Sequence, residues 1–270
     1  MTKKCFGKFL SLALALTMIL SCGILSVAAF ADDEESGSLE VGDTYVFGTY
    51  EQDGKKKNGP EDIEWEVLAV EDGKALLISK KGLDCQPFHI AYEDVSWENS
   101  SLRTWLNDYF YNEAFTEEEQ GRIITTEIPG IEYPDYDYME STEPTEDNVF
   151  ILSREEAEQY LDGNNARRCL CTKEIFSTDY FPADAWIHIY WYWFDEYIGD
   201  SWWDYSFEGH ADIADHGGFC RWWLRSSGWN TERAAYVDYD GEIIPGGRYV
   251  NTAHNRWGIA VRPVIWIDVA

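Results

Sequence analysis

The chain has 270 residues, of which 45% are hydrophobic and 16% aromatic, so disorder along its whole length is excluded. Asp and Glu number 50 against 21 Lys and Arg, which gives a formal net charge of −29. Because nucleic acids and anionic membranes are bound by clustered cations, this charge argues against both as partners.

The first 31 residues have the pattern of a secretory signal peptide. Three lysines precede an uncharged, mainly apolar stretch from Phe9 to Val27, and Ala29–Ala31 matches the A-x-A cleavage pattern. Residues 32–40 then form an acidic tether. We therefore expect residues 1–31 to be removed and the mature protein to be secreted or held at the cell surface. An N-terminal helix that is retained is the alternative.

Lipid attachment is a second alternative at this end of the chain. Ile19–Cys22 is similar to a bacterial lipoprotein box, so lipidation at Cys22 stays open. No later apolar run approaches the ~20 residues that cross a bilayer, so we expect no stable membrane insertion.

Four cysteines follow the signal peptide: Cys85, Cys169, Cys171 and Cys220. In an oxidising compartment they allow two disulfides in three pairings, and four free thiols are the alternative. A bond between Cys169 and Cys171 would close a small, strained ring. If disulfides form, we expect each of these two cysteines to pair with Cys85 or Cys220.

Alternating apolar and polar residues predict strands near the start of the mature chain. Tyr45–Phe47 and Ile63–Val67 have this pattern. A further strand, Lys74–Ile78, follows an Asp72-Gly73 hairpin turn.

Helices are predicted in the middle of the chain. An apolar stripe from Leu102 to Phe110 indicates one helix. Capping boxes at Thr116 and Ser153 begin two more, which we expect to reach about Ile123 and Leu161. A surface loop is expected over residues 128–145, and a short strand over Asp147–Ile151. Four more strands are predicted at Trp222–Arg225, Ala234–Val237, Glu242–Ile244 and Ile259–Trp266.

Six strings together carry a family resemblance: Ile63–Leu68, Trp97–Asn107, Phe110–Asn112, Phe150–Ser153, Trp222–Ser226 and Val261–Pro263. In this order they resemble an uncharacterised domain family common in exported proteins of Gram-positive anaerobes, especially clostridia. The likeness covers roughly Val41 to Ile267. It implies a C-type-lectin-like C-terminal half, similar to formylglycine-generating enzymes in its WLRS strand and GVRP ending. Here that ending, Gly258–Pro263, has one extra residue, which predicts a bulge.

The expected fold class follows from these elements and from the resemblance. We predict an α+β protein: a C-type-lectin-like fold with short antiparallel strands and two to three helices. Residues 41–270 are expected to form a single domain.

An aromatic, acidic insertion is predicted over about residues 174–220. It contains no Lys or Arg, and five of its residues are Trp, at positions 186, 191, 193, 202 and 203. Aromatic faces beside carboxylates suit sugar recognition. The alternative is that these rings cover an adjoining sheet.

Metal binding and catalysis have weak support in the sequence. His210, Asp212, Asp215 and His216 offer possible zinc ligands, but their spacing matches no standard motif. The calcium strings of true C-type lectins are missing, since Trp229-Asn230 is followed by Thr231 instead of Asp. There is no nucleophile elbow, phosphate loop or dinucleotide fingerprint. We therefore assign no catalytic residue, no metal ligand and no cofactor.

Two arginines, Arg225 and Arg262, interrupt apolar strands. A buried arginine needs carboxylate or carbonyl partners, so we expect both to hold the fold, with an anion clamp as the alternative.

Polar and aromatic residues between the C-terminal strands are the candidate ligand-binding surface. They resemble an antibody paratope in kind. They are Trp229, Asn230, Tyr236, Asp238, Tyr239, Asp240, Arg248, Asn251, His254, Asn255, Arg256 and Trp257. Tyr236 has an alternative role as a cross-strand packing residue.

The function that the sequence favours is non-catalytic binding outside the cell. We expect an exported binding module that recognises an extracellular carbohydrate or protein ligand through an aromatic and polar loop face. A secreted hydrolase acting on glycans or peptides through clustered carboxylates is one alternative. A structural surface protein is the other.

Overall fold

Strands connected by short helices make up the fold. The structure, a computed structural model, describes residues 39–130, 141–173, 216–252 and 259–270. The predicted signal peptide and nearly all of the tether lie outside these ranges, as do residues 174–215 of the predicted insertion. The strands are β1 (Thr44–Tyr50), β2 (Glu61–Glu71), β3 (Lys74–Ser79), β4 (Lys81–Gly82), β5 (Thr126–Ile128), β6 (Thr145–Asp147), β7 (Cys169–Cys171), β8 (Phe219–Ser227), β9 (Arg233–Val237), β10 (Ile243–Tyr249), β11 (Ile259–Ala260) and β12 (Val264–Asp268).

The helices lie between the first and last groups of strands. They are α1 (Ser101–Thr104), α2 (Tyr111–Ala114), α3 (Glu117–Gln120), α4 (Arg154–Tyr160) and α5 (Gly163–Arg167). A π-helical stretch, Trp105–Phe110, joins α1 to α2, and Ser100 caps α1 by accepting a hydrogen bond from the Arg103 backbone N–H. The predicted α+β class is confirmed. None of the described helices is long and apolar enough to cross a membrane.

The first sheet has the order β1-β2-β3-β12, and all its pairs are antiparallel. The β2–β3 turn has positive φ at Asp72 and Gly73, 48° and 78°, as a tight Asp-Gly hairpin turn requires. Along β2, Ile63, Trp65 and Val67 alternate into the core. The indole N–H of Trp65 donates to the Phe47 carbonyl at 2.7 Å, which satisfies its buried polar group.

The second sheet has the order β10-β9-β8-β7-β4, with β11 pairing parallel to β8. Its edge strand β10 carries an exposed Pro245 and a register shift between Ile244 and Arg248. Proline lacks a backbone N–H, so it is tolerated at an edge or a bulge and excluded from a central strand. A two-stranded sheet, β5-β6, completes the strand pairing of the described residues.

Several boundaries differ from the sequence predictions. The predicted Ile259–Trp266 strand is broken into β11 and β12. At the break, Val261 exchanges backbone hydrogen bonds with the segment Leu83–Asp84, and Pro263 has no N–H to donate. The bulge predicted in Gly258–Pro263 begins outside the described residues.

Two more strands differ in length from their predictions. The Glu242–Ile244 strand extends to Tyr249, as β10. The Asp147–Ile151 strand is reduced to the end of β6 and an isolated bridge between Phe150 and Val264. Among the helices, α3 ends at Gln120, earlier than the predicted Ile123, although its capping box at Thr116 is present.

Both arginines of the apolar strands have partners inside the fold. Arg225 donates to Glu156 through both terminal nitrogens, at 2.5 Å for Nη2, and to the Ile151 carbonyl at 2.9 Å. Arg262 donates from Nε to the Ser79 carbonyl at 2.7 Å, and its guanidinium lies 5.2 Å from the centre of the Trp222 ring. These contacts support the structural role expected for the two side chains.

We expect Arg225→Ala to lower the free energy of unfolding by about 3 kcal/mol, since it removes one partner of a largely buried ion pair. Arg154→Ala is the matched control, because Arg154 pairs with Glu155 at the exposed surface of α4, the helix that carries Glu156. That control should cost less than about 1 kcal/mol. Urea unfolding of both variants measures the difference, and equal losses would contradict a fold-holding role for Arg225.

Candidate ligand-binding surface

Five of the predicted site residues fall into two groups at opposite ends of β9. Trp229 and Asn230 lie in the turn that leads into β9, whereas Asp238, Tyr239 and Asp240 lie in the turn that leaves it. Five strand residues separate the two turns, a distance of about 17 Å at ~3.3 Å per residue. One small ligand therefore does not contact both turns at once.

The first turn contributes to an exposed set of aromatic residues. Trp229, Tyr249 and Tyr92 are 71%, 44% and 40% exposed. The guanidinium of Arg233 lies 4.1 Å from the ring centre of Tyr249 and 5.6 Å from that of Trp229. The Tyr92 and Tyr249 rings meet edge to face at 5.3 Å. We call Tyr92, Trp229, Arg233 and Tyr249 the aromatic platform.

The position of the Trp229 ring is set by a glycine. The indole lies against Gly246, where a Cβ would come within 2.6 Å of the ring. The backbone is also fixed here, because the Trp229 N–H donates to the Gly246 carbonyl at 3.2 Å. The platform thus holds an exposed indole in a defined place without burying it.

A polar rim borders the platform. Glu232 accepts hydrogen bonds from the Tyr92 hydroxyl at 2.9 Å and from Asn230 Nδ2 at 3.2 Å. The hydrogen bond to Glu232 raises the pKa of Tyr92, and partial burial adds to the shift. This hydrogen bond holds the Tyr92 hydroxyl against Glu232 while the Tyr92 ring packs on Tyr249.

A polar cavity of about 450 Å³ adjoins this rim. It is lined by Asp94, Val95, Ser96, Glu98, Asn99, Ser141, Thr142 and Thr231. Thr231, which follows Asn230, connects the cavity to the turn, because its hydroxyl donates to Asp94 and its carbonyl accepts from the Val95 N–H. Aromatic faces and a cavity rich in hydroxyl, amide and carboxylate groups are therefore neighbours.

The second turn is built into the fold. Arg221 donates to Asp238 at 2.8 Å, and its guanidinium lies over the Tyr239 ring at 4.1 Å. On the same ring, His216 stacks at 3.9 Å between centroids. Tyr239 is buried, and Asp240 is exposed at the tip of the turn.

The remaining predicted residues have different surroundings. Tyr236 is buried between Trp223 and Ile244, its partners on the adjacent strands, which is the packing alternative that the sequence left open. Arg248 and Asn251 are partly exposed beside Tyr249. His254, Asn255, Arg256 and Trp257 lie outside the described residues.

Metal ligands suggested by the sequence are not brought together in the described part of the chain. His210, Asp212 and Asp215 lie outside it, and His216 stacks on Tyr239. One acidic trio, Glu51, Asp53 and Glu61, has carboxylate oxygens within 4.8 Å of one another. These oxygens already accept hydrogen bonds from their own loop, including the Gln52 N–H at 2.8 Å and the Lys55 ammonium at 2.9 Å.

Sequence reasoning missed the residues that organise the platform. Glu232 and Arg233 immediately precede the predicted strand Ala234–Val237, where charged residues are ordinary. Tyr92 is separated from Tyr249 by more than 150 residues of chain, so no local pattern connects them. Tyr249 follows the predicted site residue Arg248, and its contact with Arg233 depends on the extension of β10 that the sequence did not predict.

The packing of the Trp229 indole against Gly246 can be tested without a ligand. In ¹⁵N-labelled protein, Trp229→Phe removes one indole N–H signal and so identifies it. We expect Gly246→Ala to shift that signal strongly, because the added methyl displaces the ring, while the thermal midpoint falls by only about 2 to 4 °C, since a loss of roughly 1 kcal/mol has that effect in a domain of this size. An indole signal left in place by Gly246→Ala would contradict this packing.

Comparison with protein families matches residues 72–269 to DUF6273, a domain of unknown function. Neither the curated proteins nor the solved structures include a match to this chain. The matched region starts at the β2–β3 turn, so β1 and β2 precede it while sharing a sheet with β3 and β12. The match covers well over half of the sequence, and the chain therefore belongs to the DUF6273 family of uncharacterised domains.

Proposed function

We propose that this protein is an exported, non-catalytic binding module that recognises an extracellular carbohydrate or protein ligand. The observation that carries the proposal is the aromatic platform, an exposed set of rings held in place beside a polar cavity. Exposed aromatic residues fixed by their neighbours bind with little loss of side-chain entropy. An acidic chain also suits a neutral ligand better than an anionic one.

A carbohydrate fits this surface in two ways. The C–H faces of a sugar ring stack on Trp229 or Tyr249, which are the most exposed rings of the platform. The hydroxyl groups of the same sugar find acceptors and donors in Glu232 and in the cavity next to Thr231. A protein ligand would use the same rings as buried anchors.

The family resemblance supports binding by a rigid scaffold with exposed turns. We propose that the C-terminal half is C-type-lectin-like. In support, the WLRS string lies in β8, the β9–β10 hairpin follows it, and β11 returns beside it. Export rests on the signal-peptide pattern of residues 1–31, and the clostridial type of source rests on the strings that carry the resemblance.

A glycan and polysaccharide screen on the protein from residue 32 onward tests the proposal, with and without EDTA. We expect binding that survives EDTA, because the platform contains no metal ligand set. Binding abolished by EDTA would show that the ligand is held by a metal ion and not by the aromatic platform. A blank glycan screen would leave a protein ligand, to be sought on the same platform.

Once a ligand is found, Trp229→Ala and Tyr249→Ala should each weaken it at least about tenfold, as expected for hot-spot aromatics. Their thermal midpoints should stay near that of the unchanged protein, since both rings are exposed. Tyr109→Ala is the matched control, because Tyr109 is an exposed aromatic residue in the π-helical stretch, away from β9 and β10. Equal losses in all three variants, or a loss only in the control, would refute the platform as the binding surface.

A further inference from the structure

All four cysteines that follow the predicted signal peptide converge at one place in the fold. Cys169 and Cys171 lie on β7 and Cys220 lies on the neighbouring strand β8. Cys85 follows β4, the strand that pairs with β7 on its other side. The four thiols are reduced in this structure, and Cys171 is the one among them that is partly exposed.

The strand register singles out one pair. Cys169 and Cys220 are directly opposite each other on antiparallel strands. Opposite residues have Cα atoms about 4.5 to 5.5 Å apart, within the range of roughly 4.4 to 6.8 Å that disulfides span. Cys171 and Cys220 are diagonal neighbours, and diagonal positions are about 7 to 8 Å apart. A bond between Cys171 and Cys220 therefore requires the backbone to move.

The remaining two cysteines are also neighbours. Gly82, three residues before Cys85, is paired with Cys171 across β4 and β7, and the Cys220 thiol donates to the Cys169 carbonyl at 3.4 Å. Burial raises the pKa of all four thiols above the usual range. They are therefore protonated at neutral pH and exchange slowly in the folded state.

The spacing favours pairwise bonds over a shared metal ion. In the part of the chain that the structure describes, no three of these sulfurs lie within 4.8 Å of one another. A tetrahedral thiolate site has sulfurs about 3.8 Å apart, as follows from zinc–sulfur bonds of about 2.3 Å. The cluster as it stands is thus too wide for such a site.

We propose that these four cysteines form two disulfides under oxidising conditions, Cys169–Cys220 and Cys85–Cys171. The oxidant is a disulfide such as oxidised glutathione or a thiol–disulfide oxidoreductase outside the cell. One protein thiolate attacks the oxidant disulfide and releases one thiol. Its partner thiolate then attacks the mixed disulfide and releases the second. Each protein disulfide formed thus reduces one oxidant disulfide to two thiols, with two electrons and two protons transferred.

The first of these bonds has a consequence for the segment between β7 and β8. Cys169–Cys220 closes a loop of about 50 residues that contains residues 174–215. Cross-linking a loop of this size restricts the unfolded chain. We therefore expect oxidation to raise the thermal midpoint by roughly 5 to 15 °C. This inference needs no ligand and is independent of the proposed binding function.

The test is disulfide mapping on the full chain. Protein purified reduced is unfolded in denaturant and refolded in oxidised and reduced glutathione, so that burial does not limit exchange, and free thiols are then blocked with N-ethylmaleimide in denaturant. Trypsin with chymotrypsin cleaves after Arg168, Leu170 and Lys173, so Cys169 and Cys171 fall on separate peptides. We expect cross-linked peptides joining Cys169 to Cys220 and Cys85 to Cys171, together with the higher thermal midpoint. Blocked thiols at all four positions, or a Cys171–Cys220 link, would overturn the proposal.

A single variant separates the two bonds. Cys171→Ser changes the partly exposed cysteine, and we expect it to leave Cys85 blocked by N-ethylmaleimide while Cys169–Cys220 still forms. Cys220→Ala should give the reverse, with Cys169 blocked and Cys85–Cys171 retained. If Cys220→Ala does not fold, the map of the unchanged protein and of Cys171→Ser still decides the pairing. A folded variant in which the remaining cysteines form a different disulfide would contradict the proposed pairing.

Discussion

Backbone pairing by residues 259–269 holds the described fold together. β11 pairs with β8, β12 pairs with β3, Val261 bonds with Asp84, and Val264 bonds with Phe150. One short segment therefore contacts both large sheets and the connection that leads into α4. We call residues 259–269 and their partners the junction of the two sheets. In it the side chain of Arg262 also contacts the Ser79 carbonyl and the Trp222 ring. The β8–β9–β10 sheet, which carries the aromatic platform, depends on this junction for its position next to the N-terminal strands.

Local patterns in the sequence were sufficient for many elements. The Asp72-Gly73 turn and the Thr116 and Ser153 caps depend on neighbours a few residues away, so they could be predicted. Pairing between distant segments could not. The break between β11 and β12 depends on Asp84, about 180 residues earlier, in addition to Pro263. Long-range contacts of this kind have no signature in a local window of sequence.

The candidate surface was predictable only in part, for the same reason. Trp229 and Asn230 were identified by their residue type in a turn, and Trp229 is indeed the most exposed large apolar side chain of the described residues. Asp238 and Tyr239 are residues of the same polar and aromatic types, but both contact Arg221. They also lie at the opposite end of β9 from Trp229. Composition thus identifies residues able to bind, whereas strand register decides which of them share a face. The partners that give the platform its shape come from elsewhere in the chain.

The edge strand β10 has a consequence for how the protein behaves among copies of itself. Unpaired edge strands invite another chain to add a strand. In β10 the exposed Pro245 removes one donor, and the register shift before Arg248 bends the remaining ones out of line. A second copy therefore finds no regular row of hydrogen-bonding groups along this edge. The side chains at the end of β10 can stay exposed at high concentration without promoting aggregation through the strand that carries them.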